Sequence, residues 1–105
     1  MVFWIGAEEF RLYLPLPASL KDRRHIVRSL TDGARAKFNI SVSDLGPKDS
    51  HREALLGFTA SGSSSSEIEE RLDMLEKFIE QRESDGDFEI FEITREVFTY
   101  GDLSD

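Results

Sequence analysis

Residues 9–22 read Glu9-Phe10-Arg11-Leu12-Tyr13-Leu14-Pro15-Leu16-Pro17-Ala18-Ser19-Leu20-Lys21-Asp22, and the change of rhythm inside this stretch decides the fold. Phe10, Leu12 and Leu14 alternate with Glu9, Arg11 and Tyr13, the period of two by which a strand lays its apolar side chains on one face. Pro15 and Pro17 stop that strand, because proline has no N–H to give a ladder. Ser19 then offers a helix N-cap, and Asp22 three residues on supplies the second half of a capping box. From there the spacing predicts a helix over 20–38, with Leu20, Val27, Leu30, Ala34 and Phe38 on an arc of roughly 80°. A strand over 2–14 therefore runs straight into an amphipathic helix.

The rest of the chain repeats this grammar with a hairpin between. Residues 39–45 set Ile40 and Val42 against Ser41 and Ser43, Gly46-Pro47-Lys48-Asp49 makes a turn, and residues 52–60 form a third strand. Its run Ala54-Leu55-Leu56-Gly57-Phe58 reads as central and buried on both faces. Ser61-Gly62-Ser63-Ser64-Ser65-Ser66 is too close to the end to link a second stable domain. It reads as a loop closing on an N-cap at Ser66, with Glu69 in the capping-box position. A second helix over 67–82 buries Ile68, Leu72, Leu75 and Ile79 and turns Glu69, Glu70, Asp73, Glu76 and Glu80 to water. Asp85-Gly86 ends it. The last strand, 88–98, changes phase between Ile90 and Phe91, which calls for a bulge or for burial on both sides. Residues 101–105 are expected to fray.

Strand–helix–strand–strand–helix–strand is the order of two split βαβ units. The expected fold is an α+β ferredoxin-like sandwich, a single domain over 1–105, with both helices on one face of a four-stranded antiparallel sheet.

Charge is distributed unevenly over that frame. The chain has 13 Lys/Arg against 21 Asp/Glu, a net −8. Between Ser19 and Phe38, however, Lys21, Arg23, Arg24, Arg28, Arg35 and Lys37 face only Asp22 and Asp32. Lys21, Arg24, Arg28 and Arg35 fall within about 60° on the flank beside the apolar arc. Arg23 points into that arc, in the first turn, with its stem able to pack over the sheet end. These five residues are the candidate nucleic-acid-binding set, with Arg23 positioning the helix terminus. The opposing reading is a solvated face, or one paired with the acidic second helix. An acidic chain is not a general nucleic-acid coat, so any RNA contact has to be local and oriented.

Ser19-Leu20-Lys21-Asp22-Arg23-Arg24, Ile26-Val27-Arg28-Ser29-Leu30, Phe38-Asn39-Ile40-Ser41-Val42, Ala54-Leu55-Leu56-Gly57 and Ile93-Thr94-Arg95-Glu96-Val97 together resemble the YlxP-like family of small bacterial proteins. The resemblance implies a ferredoxin-like fold, a cytoplasmic setting and a neighbourhood of translation and ribosome-maturation factors, with no established reaction. The chain departs from the family where a Trp and, two positions later, a basic residue precede the third strand: His51 and Glu53 stand there. Residues 61–105 are also unusually acidic, 14 Asp/Glu against 4 Lys/Arg.

No catalytic set emerges. There is no cysteine, hence no thiolate zinc site or Cys nucleophile. His25 and His51 lack ligand spacing, and Asp85 and Asp87 lack the rest of a calcium loop. Glu8-Glu9 and Glu69-Glu70 are sequence neighbours that point apart, poor acid–base dyads. No glycine-rich phosphate loop is present, and the serine run has no nucleophile context. The apolar start, Met1-Val2-Phe3-Trp4-Ile5, has no basic residue before it and is cut short by Glu8-Glu9, so neither a secretory leader nor a membrane span is expected. Trp4, Tyr13 and Phe91 are candidates for the open sheet face, with core or dimer contacts as the opposing reading. The expectation is a non-enzymatic cytoplasmic accessory protein without cofactor or metal, docking to ribosomal RNA, a ribosome precursor or a ribosomal protein through the first helix. The alternative is a homodimeric interaction or regulatory module that uses the open sheet face.

Overall fold

The computed structural model describes residues 2–15 and 18–101. Pro17 and residues 102–105 of the expected fraying tail lie outside them. Six elements follow in the expected order: β1 (Trp4–Tyr13), α1 (Leu20–Lys37), β2 (Ser41–Gly46), β3 (Glu53–Gly62), α2 (Ser65–Glu83) and β4 (Glu89–Thr99). The four strands form one antiparallel sheet in the order β2-β3-β1-β4, with both helices on one side, the ferredoxin-like α+β arrangement.

Pairing fixes which side chains meet the helices. Phe10 lies opposite Leu56 and Ile93, Leu12 opposite Ala54 and Ile90, and Glu8 opposite Phe58 and Arg95. Phe10, Leu12, Leu56 and Phe58 are fully buried against Leu30, Ala34, Ile68, Leu72, Leu75 and Ile79 of the helices. The Phe10 and Phe58 rings meet edge to face at 5.4 Å, a favoured aromatic geometry. Gly6 lets α2 close on β1: a Cβ there would run into Ile68 Cγ2 and stand 3.0 Å from Leu72 Cδ1. Gly6→Ala is expected to cost about 1–3 kcal/mol by overpacking, read as a lower urea midpoint with an unchanged slope.

The α1 cap is the one read from sequence: Asp22 N–H donates to Ser19 Oγ at 3.1 Å and Ser19 N–H to Asp22 Oδ2 at 2.9 Å. The Ser19 backbone bond, with the hydroxyl, holds the Asp22 carboxyl below its ordinary range. The α2 cap sits two residues earlier than expected. Ser64, not Ser66, accepts the Glu67 N–H at 3.2 Å, so the helix starts at Ser65. The cause is Glu67, which accepts from both Ser63 N and Ser63 Oγ and from Arg71, tying the serine loop to the first turn.

Three other expectations change. Leu20 is exposed, because it sits at the first position of α1, beyond the sheet end. Leu55 and Gly57 of the central strand are only half-buried, since neither described helix covers the face they occupy. The phase change in β4 is a bulge: Ile90 pairs with Leu12 and Glu92 with Arg11, leaving Phe91 as the extra residue. No helix among the described residues is long and apolar enough to cross a membrane.

Candidate nucleic-acid interface

The five cations singled out on α1 do not form one group. Lys21, Arg24 and Arg28 are exposed, and no carboxylate among the described residues lies within 4.0 Å of them. They keep the common flank that helical spacing assigns them. Arg35 is exposed too, but its Nη1 is 3.1 Å from Asp32 Oδ1, an i,i+3 surface pair. Such a pair is worth only ~0–1 kcal/mol and exchanges easily for a phosphate.

Arg23 is different in kind. Its side chain is 2% exposed and its guanidinium grips Asp44 of β2 with two bonds, 3.0 and 3.1 Å, while Nε donates to the Glu53 carbonyl of β3 at 3.0 Å. A direct phosphate contact from Arg23 is therefore excluded in this structure. Its place in the apolar arc took it inward to the sheet end, where it clamps the first turn of α1 across β2 and β3. The paired guanidinium, against the effect of burial, lowers the Asp44 carboxyl from its ordinary range, and the Gly46 N–H adds to this.

The acidic second helix meets another cation. Arg95 of β4 projects under α2, where Nε donates to Glu8 Oε2 at 2.8 Å, Nη1 to Asp73 at 2.9 Å and Nη2 to Glu76 at 2.6 Å. Glu69 stands 3.5 Å from the same Nη1. Asp73 and Glu76 are thus not merely solvated. Glu8 is 1% exposed, and among the described residues no donor reaches its Oε1. Burial first, then the neighbouring Glu76, pushes this carboxyl up to about 8, although Arg95 pulls the other way. Burial lowers the Arg95 value, but Glu8 and Asp73 outweigh it and raise the affinity of Arg95 for its proton. Glu8 shares the phase of Phe10 and Leu12, and that phase was the one sequence signal of a carboxylate on the core face. Its partner, 87 residues away, had no signal.

Among the described residues no helix lies on the opposite face of the sheet. Tyr13 and Phe91 lie there with ring centroids 4.8 Å apart, and Phe3 and Tyr100 pair at 5.4 Å at the far end. Trp4 faces the other way and packs on the core. His25 and His51 are exposed and on separate segments.

A βαββαβ sandwich with a partly unpaired cationic helix flank and an uncovered sheet face defines a small ferredoxin-like protein. Residues 5–95 match the family model described as protein of unknown function (DUF503), and the chain belongs to that family. It is 29% identical over 76 residues to the uncharacterized protein YlxP of Bacillus subtilis (strain 168), covering 72% of this chain and 83% of that relative.

Proposed function

We propose that this protein is a non-enzymatic accessory factor that docks to structured RNA, ribosomal RNA or a ribosome precursor, through the exposed flank of α1. The observation that carries this reading is the state of Lys21, Arg24 and Arg28: three accessible cations in a row, without an ion pair among the described residues, in a chain of net −8. Lys48, Arg52 and Lys77 are also exposed without an ion pair among the described residues, but they stand on separate segments, whereas Lys21, Arg24 and Arg28 share one helix flank. Arg23 holds the helix in a fixed attitude to the sheet, which makes the contact oriented rather than general. The acidity of α2 repels phosphate from the neighbouring surface and confines binding to one edge.

Three phosphate contacts to single-stranded loops of that RNA, at a log–log slope of about −0.7 each, predict binding that weakens roughly twenty-fold between 50 and 200 mM salt. The test is a titration of ribosomal RNA and isolated ribosomal subunits against wild type and a Lys21→Glu/Arg24→Glu/Arg28→Glu variant across that salt series. The variant is expected to lose binding and the salt slope together. Equal binding by both proteins overturns the proposal.

A further inference from the structure

We infer that the uncovered sheet face is a docking surface for a cationic protein segment that carries apolar side chains. The face runs along β1 from Phe3 and Ile5 to Tyr13, a span of about 26 Å from Ile5 at strand rise. Apolar groups cluster at its two ends: Phe3, Phe98 and Tyr100 at one, Tyr13, Phe91 and Leu45 at the other, all exposed except the half-buried Ile5. Exposed apolar side chains grouped in this way mark interaction sites rather than ordinary surface.

The backbone is shaped to present two of them. Phe91 is the additional residue of a bulge opposite the Arg11–Leu12 step of β1, and it is 55% exposed. Without it the strand would read Phe88, Ile90, Ile93, Arg95 inward and Glu89, Glu92, Thr94 outward, an unbroken alternation. The core does not need this residue; the outer face receives its ring. Leu45 is placed likewise, between the pairs Asp44–Leu56 and Gly46–Leu55, and lies over Gly57, whose missing Cβ gives it room at 2.9 Å. Gly46 makes that step with φ +100°, a conformation that favours glycine. Beside Leu45 a shallow cavity of about 410 Å³ is lined by Arg11, Pro47 and Leu55.

Charge selects the occupant. The ladder positions of this face carry Glu9, Glu53, Glu89, Glu92 and Glu96 against Arg11 alone, which stands 4.0 Å from Glu92. A second copy would bring the same five carboxylates against themselves, and RNA would bring phosphates; like charges facing each other across an interface cost several kcal/mol. A lysine- or arginine-bearing segment meets these carboxylates while its apolar side chains cover the rings. This surface is on the opposite side of the sheet from α1 and is independent of the RNA reading.

The probes are extended peptides of about eight residues in which every second position, the face laid on the sheet, alternates lysine and leucine with serine between; in the lysine–serine control serine replaces each leucine, and in the glutamate–leucine control glutamate replaces each lysine. Amide shifts of the labelled protein are followed by NMR. The lysine–leucine peptide is expected to shift the amides of β1 and β4, binding at least ~tenfold tighter than lysine–serine. Glu92→Lys/Glu96→Lys is expected to abolish this, and deletion of Phe91 to weaken it with the far-UV spectrum unchanged. Phe91→Ser serves if the deletion fails to fold. Lys21→Glu/Arg24→Glu/Arg28→Glu should leave it intact. Shifts confined to α2, equal binding of glutamate–leucine, RNA-induced shifts on this face, or a dimer in sedimentation dissolved by Phe91→Ser would each overturn the inference.

Discussion

At pH 9, above the Glu8 value of about 8 and with that carboxylate ionised, replacing Arg95 with methionine is expected to lower stability by about 3 kcal/mol, toward the lower end of the range for breaking a buried ion pair, because its side chain is 20% exposed. The loss arises from what remains. Glu8, Asp73, Glu76 and Glu69 converge on one guanidinium, and without it Glu8 is left among apolar side chains with a second carboxylate beside it. Urea unfolding checks the magnitude, and Arg95→Met within about 0.5 kcal/mol of wild type, the size of an ordinary surface change, would refute it. Adding Glu8→Gln should recover part of the loss, since the amide needs no counter-charge.

The same cluster sets a pH dependence of unusual sign. The Glu8 carboxyl titrates at about 8 in the fold against 4.5 in an unperturbed chain. Between those values the folded state retains a proton that the unfolded state has released. The associated stability is therefore full below about pH 4.5 and is lost as pH rises to about 8, at up to about 1.4 kcal/mol per pH unit. Asp22 and Asp44 act in a separate window. Their folded values are lowered below 3.8, so their contribution is present above 3.8 and lost as pH falls through the folded values. The melting temperature is expected to climb as pH falls from 8 toward 5 and to drop below about 4. Glu8→Gln should flatten the upper branch alone; an unchanged slope in that variant would rule out Glu8 as its origin.

Arg23→Lys is the second large effect. A lysine keeps the charge but cannot span both Asp44 oxygens and the Glu53 carbonyl, three contacts held by one planar group. The expected cost is about 1.5–3 kcal/mol, the range for hydrogen bonds to charged groups. Hydrogen exchange should localise the loosening to the first turn of α1 and to Asp44–Gly46. Because this variant leaves the net charge at −8, weakened RNA docking by it would report orientation of the helix rather than electrostatics. Wild-type stability in Arg23→Lys would contradict the clamp.

How far the chain could be read differs by element. Ser19 and Asp22 declared the start of α1 because a cap is a contact between residues three apart. The flank of Lys21, Arg24 and Arg28 was equally visible, being a consequence of helical pitch. At Ser64 the same reasoning slipped by two residues, since four consecutive serines are equivalent until Glu67 chooses among them through Ser63 and Arg71. Arg23 was legible as an inward cation but not as Asp44's partner, because that bond spans 21 positions and requires α1 to lie across the hairpin.

By itself the sequence determined the element order, the helix faces and the uneven distribution of charge, all of which depend on neighbours within a turn or a strand repeat. The pairing of Glu8 with Arg95, the bulge that turns Phe91 outward and the uncovered aromatic face were decided by the tertiary structure. Each depends on ladder register, and register is set only when β1 closes simultaneously on β3 and β4 and one sheet face is buried beneath the helices.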